Sequence, residues 1–260
     1  MRPRMLFITL LLFAELALAV TAGLFGNEVL SRLGMAAAFL LPLLFLLRAP
    51  AGTPRLALRL RPHTAHLFLL LPHFILLTAA AAAVSALLTS LLGLGAAGAT
   101  PMPTLPAAIL LDAAVPALCE ELFFRGAIFS TLRPMGRRAA VFGSALLFAL
   151  MHANPAQIPY AMVAGLLLGL LYELSGSLLF PILFHFTNNL ISLFMHFFGG
   201  TALLFGAVGV AAVFGTLLLL PILKNATRPP REEAPWRFLR EFFLSPLLLW
   251  LVFILTLTFL

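Results

Sequence analysis

Residues 113–129 read AAVPALCEELFFRGAIF, an apolar stretch in which Glu120, Glu121 and Arg125 are the only charged side chains. A carboxylate at the centre of a lipid bilayer costs at least about 2.5–3.5 kcal/mol. Two adjacent carboxylates in such a stretch therefore indicate a specific use for them inside the protein.

The composition is that of a membrane protein. Hydrophobic residues make up 62% of the 260 positions and charged residues 10%, whereas soluble domains have roughly half and one quarter. We therefore expect an all-α, polytopic helix bundle that forms a single transmembrane domain over residues 1–260. The one cysteine, Cys119, excludes an intrachain disulfide and a cysteine-rich metal site.

Apolar runs long enough, or nearly long enough, to cross a bilayer predict eight or nine transmembrane helices. A retained first span is favoured over a cleaved signal peptide because Glu15 interrupts its apolar stretch. The predicted spans are 5–25, 34–47, 66–95, 105–131, 139–153, 159–174, 177–197, 201–223 and 241–260.

Lys and Arg residues indicate the orientation. In a nine-span arrangement, 14 of the 16 basic residues fall on one side, and the exceptions are Arg32 and Arg125. The positive-inside rule then places the N-terminus in the cytoplasm. The positive charge lies in short loops between spans, so the net charge of +7 is explained by the orientation of the chain in the membrane. It therefore predicts no nucleic-acid partner.

Three predicted spans carry polar groups at similar depths. Glu121 and Arg125 are four residues apart and share a helix face, whereas Glu120 is rotated by about 100° and needs a different partner. The motifs FALMH (148–152) and HFTNN (185–189) lie in two other spans. At about 1.5 Å per residue from the cytoplasmic ends, the depths are roughly 17 Å for Glu120, 20 Å for His152, 12 Å for His185 and 18 Å for Asn189.

These motifs carry a family resemblance. EELFFRG resembles the EExxxR motif of the CPBP family, which includes CAAX prenyl endopeptidases of the Rce1 type and bacterial Abi proteins. FALMH resembles the FxxxH motif of that family, and HFTNN resembles its HxxxN motif. The resemblance covers residues 120–189 in the family's order and implies a catalytic core at about 105–197.

The resemblance implies an intramembrane glutamate protease that hydrolyses a membrane-embedded or lipid-anchored peptide without a cofactor. Glu120 and His152 would activate a water molecule, and His185 and Asn189 would donate hydrogen bonds to the oxyanion. Structural support is expected from three further residues, namely Glu121, Arg125 and Phe148. The expected location is the inner (plasma) membrane, and the Ala, Leu and Arg usage suggests a bacterium.

Other interpretations of these residues stay open. One Glu and two His also form a ligand set for catalytic zinc, although the sequence contains no HExxH motif. Glu120 is also compatible with a purely structural ion pair, and Asn189 with an interhelical hydrogen bond. At the level of function, the alternatives are a non-catalytic bacteriocin self-immunity or membrane-binding protein of the Abi type and a proton-coupled transporter.

The charge pattern predicts that loops 48–63, 132–138 and 224–240 are cytoplasmic. Single cysteines introduced into these loops should react with a membrane-impermeant maleimide only after the cells are lysed. A cysteine introduced by Asn27→Cys, in the first loop of the opposite side, should react in intact cells. Labelling of all three predicted cytoplasmic loops from outside would reverse the orientation.

Overall fold

The computed structural model describes residues 7–10, 12–14, 17, 21, 32–34, 36–40, 62–93, 104–199 and 202–224. Within these residues all regular structure is helical and no strand occurs. The prediction of an all-α protein is therefore confirmed. The predicted span at 241–260, and most of those at 5–25 and 34–47, lie outside the described residues.

Six helices organise the described chain from residue 62 onward. A 3-10 helix, Pro62–Leu70, leads directly into α1. Residues 105–132 are continuously helical and are called α2. The bounds of the other helices are Leu71–Leu91 for α1, Arg137–Met151 for α3, Ile158–Ser175 for α4, Leu179–Phe198 for α5 and Ala202–Lys224 for α6.

Two helical stretches of the described chain, His66–Leu91 and Ile158–Ser175, are long and apolar enough to cross a membrane, and a shorter apolar stretch spans Ala207–Leu218. Helix α3 has 15 residues, fewer than the roughly 20 that a perpendicular span needs. The total of eight or nine spans stays a prediction.

Helix α2 changes its winding on both sides of the two glutamates. Ile109–Ala114 and Leu122–Phe129 are π-helical, and Val115–Glu121 between them is α-helical. Pro116 has no N–H to donate to the carbonyl of the residue four positions earlier, which accounts for a break in the α-helical pattern at the first of these segments. π-helical turns inside longer helices often occur at functional sites, and here they flank Glu120 and Glu121.

Helices α3 and α4 are in close contact because α4 presents glycine to α3. A Cβ atom on Gly165 would lie 3.0 Å from the Cα atom of Ala145. One turn further, a Cβ atom on Gly169 would lie 3.5 Å from Cγ1 of Val141. Small residues let helix backbones approach in this way inside membranes. Helix α4 also packs against α1 and α5, α1 packs against α6, and α5 packs against α2.

The two glycines of α4 give a matched test of this packing. Gly165→Ala should lower the thermal unfolding midpoint, because its methyl group forces α3 and α4 apart at a typical overpacking cost of about 1–3 kcal/mol. Gly169→Ala should leave the midpoint unchanged or raise it, because the new contact is an ordinary van der Waals distance and alanine is the better helix former. Thermal unfolding in detergent measures both. Equal midpoints for the two variants would show that the backbones are not in contact at Gly165.

Candidate active site

A buried ion pair forms the centre of the site. The side chains of Glu121 and Arg125 are both 0% exposed, and Arg125 Nη1 donates to Glu121 Oε1 at 2.8 Å. Arg125 Nη2 donates to the carbonyl oxygen of Gly165 at 2.9 Å. The guanidinium carbon lies 4.8 Å from the centre of the Phe148 ring, within the range of a cation–π contact. Arg125 thus ties α2 to α3 and α4.

His185 on α5 stands between the two glutamates. Its Nδ1 atom is 2.9 Å from Glu121 Oε1, and its Nε2 atom is 4.0 Å from Glu120 Oε2. Because an ionised carboxylate only accepts hydrogen bonds, the proton of this contact lies on Nδ1. The other ring nitrogen then faces Glu120. Glu121 therefore pairs with Arg125 and also fixes the orientation of the His185 ring.

His152 directly follows α3 as its C-cap residue and contacts the cluster through Phe148. Its Nδ1 atom donates to the carbonyl oxygen of Phe148 at 2.9 Å, which leaves the Nε2 lone pair of the neutral ring available to accept a hydrogen bond. The Phe148 ring centre lies 4.9 Å from the His152 ring and 5.8 Å from the His185 ring. The next residue, Ala153, has a φ angle of +45°, a conformation that non-glycine residues rarely adopt and that often marks functional sites.

The two asparagines of HFTNN have different surroundings. Asn188 is buried, accepts a hydrogen bond from Thr78 Oγ1 at 2.8 Å and donates one to the hydroxyl of Tyr160. Asn189 is half-buried, and its side chain forms no hydrogen bond with another residue of the described chain. The sequence identified Asn189 as the donor and Asn188 as its neighbour. Asn188 proves to link α5 to α1 and α4, and the donor role of Asn189 stays a prediction.

The two basic residues that break the charge pattern both have carboxylate partners. Arg32 Nε lies 2.7 Å from Asp112 Oδ1, on α2, and Arg125 has Glu121. Glu173 and His73, which lie in predicted spans, also have partners. Glu173 accepts two hydrogen bonds from Arg133, and His73 Nε2 lies 2.6 Å from Thr216 Oγ1.

Sequence reasoning missed Tyr160 and Thr78. Tyr160 is one of two tyrosines in the chain and lies in α4, one of the two helical stretches among the described residues that are long and apolar enough to span a membrane. A buried phenol in such a helix needs a hydrogen-bonding partner, and this was the available signal. For Thr78 no comparable signal exists, because threonine can satisfy its hydroxyl on its own helix.

Within the described residues, no three His, Cys, Asp or Glu side chains are grouped so that they could hold a metal ion. The absence of a cofactor stays a prediction from the sequence.

Comparison with known proteins identifies the segment that contains this site. Residues 101–191 match the family model described as Rce1-like, the type II CAAX prenyl endopeptidases. This segment is similar to the Rce1-like family. The resemblance read from the three motifs is therefore confirmed, and the family indicates a membrane-embedded protease of the CAAX type. No curated protein and no solved structure matched the chain.

The buried ion pair should dominate the stability of the site. Glu121→Gln leaves the Arg125 charge buried without a counterion, which typically costs about 3–5 kcal/mol. Glu173→Gln makes the same change in an ion pair whose arginine, Arg133, is 48% exposed, and such pairs contribute about 0–1 kcal/mol. Thermal unfolding in detergent should show a large loss for Glu121→Gln and a small loss for Glu173→Gln. Similar losses for both would contradict the buried pairing.

Proposed function

We propose that this chain is an intramembrane endopeptidase that hydrolyses a membrane-associated peptide with a water molecule activated by Glu120. The observation that carries the proposal is the 4.0 Å separation of Glu120 Oε2 and His185 Nε2 within an Rce1-like segment. The two side chains are 18% and 10% exposed. They are accessible enough to meet a substrate and buried enough to exclude most water.

The spacing suits the attack of water on a carbonyl group. Glu120 Oε2 would hold the water molecule, and His185 Nε2 would hold the carbonyl oxygen of the substrate, each at about 2.8 Å. The water molecule and the carbonyl group would therefore be neighbours. Bound reactants need to be about 3–3.5 Å apart. Glu120 accepts a proton from the water while the oxygen attacks the carbonyl carbon. It then returns the proton to the departing amine nitrogen as the C–N bond breaks.

Histidines have two different roles in this mechanism. His152, with its Nδ1 proton on the Phe148 carbonyl, accepts a hydrogen bond from the water through Nε2 and orients it. His185 donates to the developing oxyanion through Nε2, which requires protons on both ring nitrogens. Glu121 at Nδ1 stabilises that cation. Arg125 and the protonated His185 together balance the charges of Glu120 and Glu121.

Asn189 is the proposed second oxyanion donor. It follows His185 by four residues on α5 and so lies on the same helix face. Its amide is half-buried and is not used by another residue of the described chain. One donor of this kind contributes a factor of about 10²–10³ to the catalytic rate.

The proposed setting is a single transmembrane domain of eight or nine spans in a bacterial plasma membrane, with the N-terminus in the cytoplasm. The charge pattern of the loops and the apolar composition support it. The substrate would be a membrane-embedded or lipid-anchored peptide, which reaches the site from the bilayer.

The mechanism predicts a graded loss of activity. The purified protein is reconstituted in liposomes and given an internally quenched peptide with a C-terminal Cys-aliphatic-aliphatic-X sequence, in farnesylated and unfarnesylated forms. Glu120→Gln should reduce cleavage to background because it removes the base. Asn189→Ala should reduce kcat about 10²–10³-fold, and Glu173→Gln, remote from the cluster, should keep full activity.

Three results would overturn parts of this proposal. Full activity of Glu120→Gln would remove the catalytic assignment of Glu120 and of this site. Loss of activity with a chelator, restored by zinc, would replace the glutamate mechanism with a metalloprotease mechanism. No cleavage of either peptide by the wild-type protein would exclude CAAX-like peptides as substrates.

A further inference from the structure

A cavity of about 660 Å³ opens beside the site, between α1, the start of α4 and α5. Its volume falls within the range of about 300–1,000 Å³ that is usual for ligand sites. One wall is a row of alanines on α1, namely Ala79, Ala82, Ala83 and Ala86. The lining from the start of α4 and from α5 includes the polar side chains of Tyr160, Asn188, Gln157 and Ser192, together with the apolar Ile191 and Met195.

The cavity adjoins the proposed catalytic residues. Asn188 follows His185 by three residues on α5, so the two side chains lie within one helical turn. A molecule in the cavity would thus lie within one helical turn of His185.

The Tyr160 hydroxyl has a hydrogen-bonding partner in Asn188. Thr78 Oγ1 lies 2.8 Å from Asn188 Oδ1, and Asn188 Nδ2 is within hydrogen-bonding distance of the Tyr160 hydroxyl oxygen. When the Asn188 amide donates to the phenol oxygen, the phenol proton is available to another acceptor.

We propose that the cavity binds the stretch of substrate peptide next to the scissile bond, and that Tyr160 donates a hydrogen bond to a backbone carbonyl of that stretch. The inference rests on the proposed function, because it names the part of the substrate that this site holds. Apolar side chains of the peptide lie against the alanine wall, and its backbone faces Tyr160.

The two unlike walls favour a peptide over a hydrocarbon chain. A peptide must unwind to be cleaved, and each unpaired N–H or C=O group in a bilayer costs several kcal/mol. A groove that lowers this cost needs polar groups along one side, as Tyr160, Asn188, Gln157 and Ser192 provide. A prenyl or acyl chain has no hydrogen-bonding groups and would make no use of these polar side chains.

Cleavage kinetics test the alanine wall with a matched pair of variants. Ala82 lines the cavity, and Ala80 lies on the same helix without lining it, although both are exposed. Ala82→Phe should raise KM for the unfarnesylated peptide about tenfold or more, and Ala80→Phe should leave it unchanged. An unchanged KM in Ala82→Phe, or equal changes in both variants, would overturn the inference.

The phenol is tested in the same assay. Tyr160→Phe should lower kcat/KM about tenfold, and Tyr172→Phe, on the same helix and away from the cavity, should not. Asn188→Asp provides a carboxylate that only accepts, so it captures the Tyr160 proton and should reproduce the loss. Wild-type kinetics in Tyr160→Phe, or in Asn188→Asp, would exclude donation by Tyr160 to the substrate.

Binding is measured separately from cleavage, so that failure of one proposal does not hide the other. In a Glu120→Gln, Cys119→Ala background, the thiol introduced by Ala82→Cys is alkylated with and without the unfarnesylated peptide. The peptide should slow this reaction at least fivefold and leave the thiol of an Ala80→Cys variant unaffected. Protection by peptide without any wild-type cleavage would overturn the proteolytic function and keep the binding site. Cleavage without protection, or protection by farnesol and not by peptide, would overturn the binding site and keep the function.

Discussion

The buried charge of Arg125 is the constraint on which the site depends. A guanidinium with no exposed surface must find a counterion and hydrogen-bond acceptors inside the protein. Arg125 finds Glu121 one turn back on α2, the carbonyl of Gly165 on α4 and the ring of Phe148 on α3. Since Glu121 also binds His185 on α5, this one charge connects four helices. The geometry around Glu120 is thereby fixed without any contact from Glu120 itself.

Adjacent glutamates can have separate roles because a helix turns them by about 100°. Glu121 faces inward, is fully buried and is the counterion of Arg125. Glu120 keeps 18% of its side-chain surface exposed and faces His185 Nε2 at 4.0 Å. If the two side chains exchanged places, Glu120, the proposed base, would be buried in an ion pair, and Glu121, the counterion of Arg125, would be exposed. The two adjacent glutamates therefore place a structural carboxylate, Glu121, and a solvent-accessible carboxylate, Glu120, at the same depth.

Local spacing in the sequence was sufficient to predict much of this arrangement. The four-residue interval between Glu121 and Arg125 predicts their pairing, and the depths of the polar residues predict that His185 lies near the glutamates. The π-helical turns of α2 could not be anticipated, since they depend on how Pro116 and the neighbouring helices are accommodated. The Thr78, Asn188 and Tyr160 contacts could not be predicted either, because residues this far apart in sequence meet only through the packing of α1, α4 and α5.

Helix α5 separates two kinds of environment over a single turn. His185 lies among charged side chains, with the buried Glu121 and Arg125 pair on one side and the partly exposed Glu120 on the other. Asn188, three residues later, lies among neutral hydroxyl groups beside an apolar cavity. A charged cluster stabilises a developing oxyanion most strongly when water is excluded, whereas an unwound peptide needs neutral donors and acceptors that do not compete for protons. By presenting one face to α2 and the next to α1 and α4, the helix would place both environments within reach of the extended peptide proposed as the substrate.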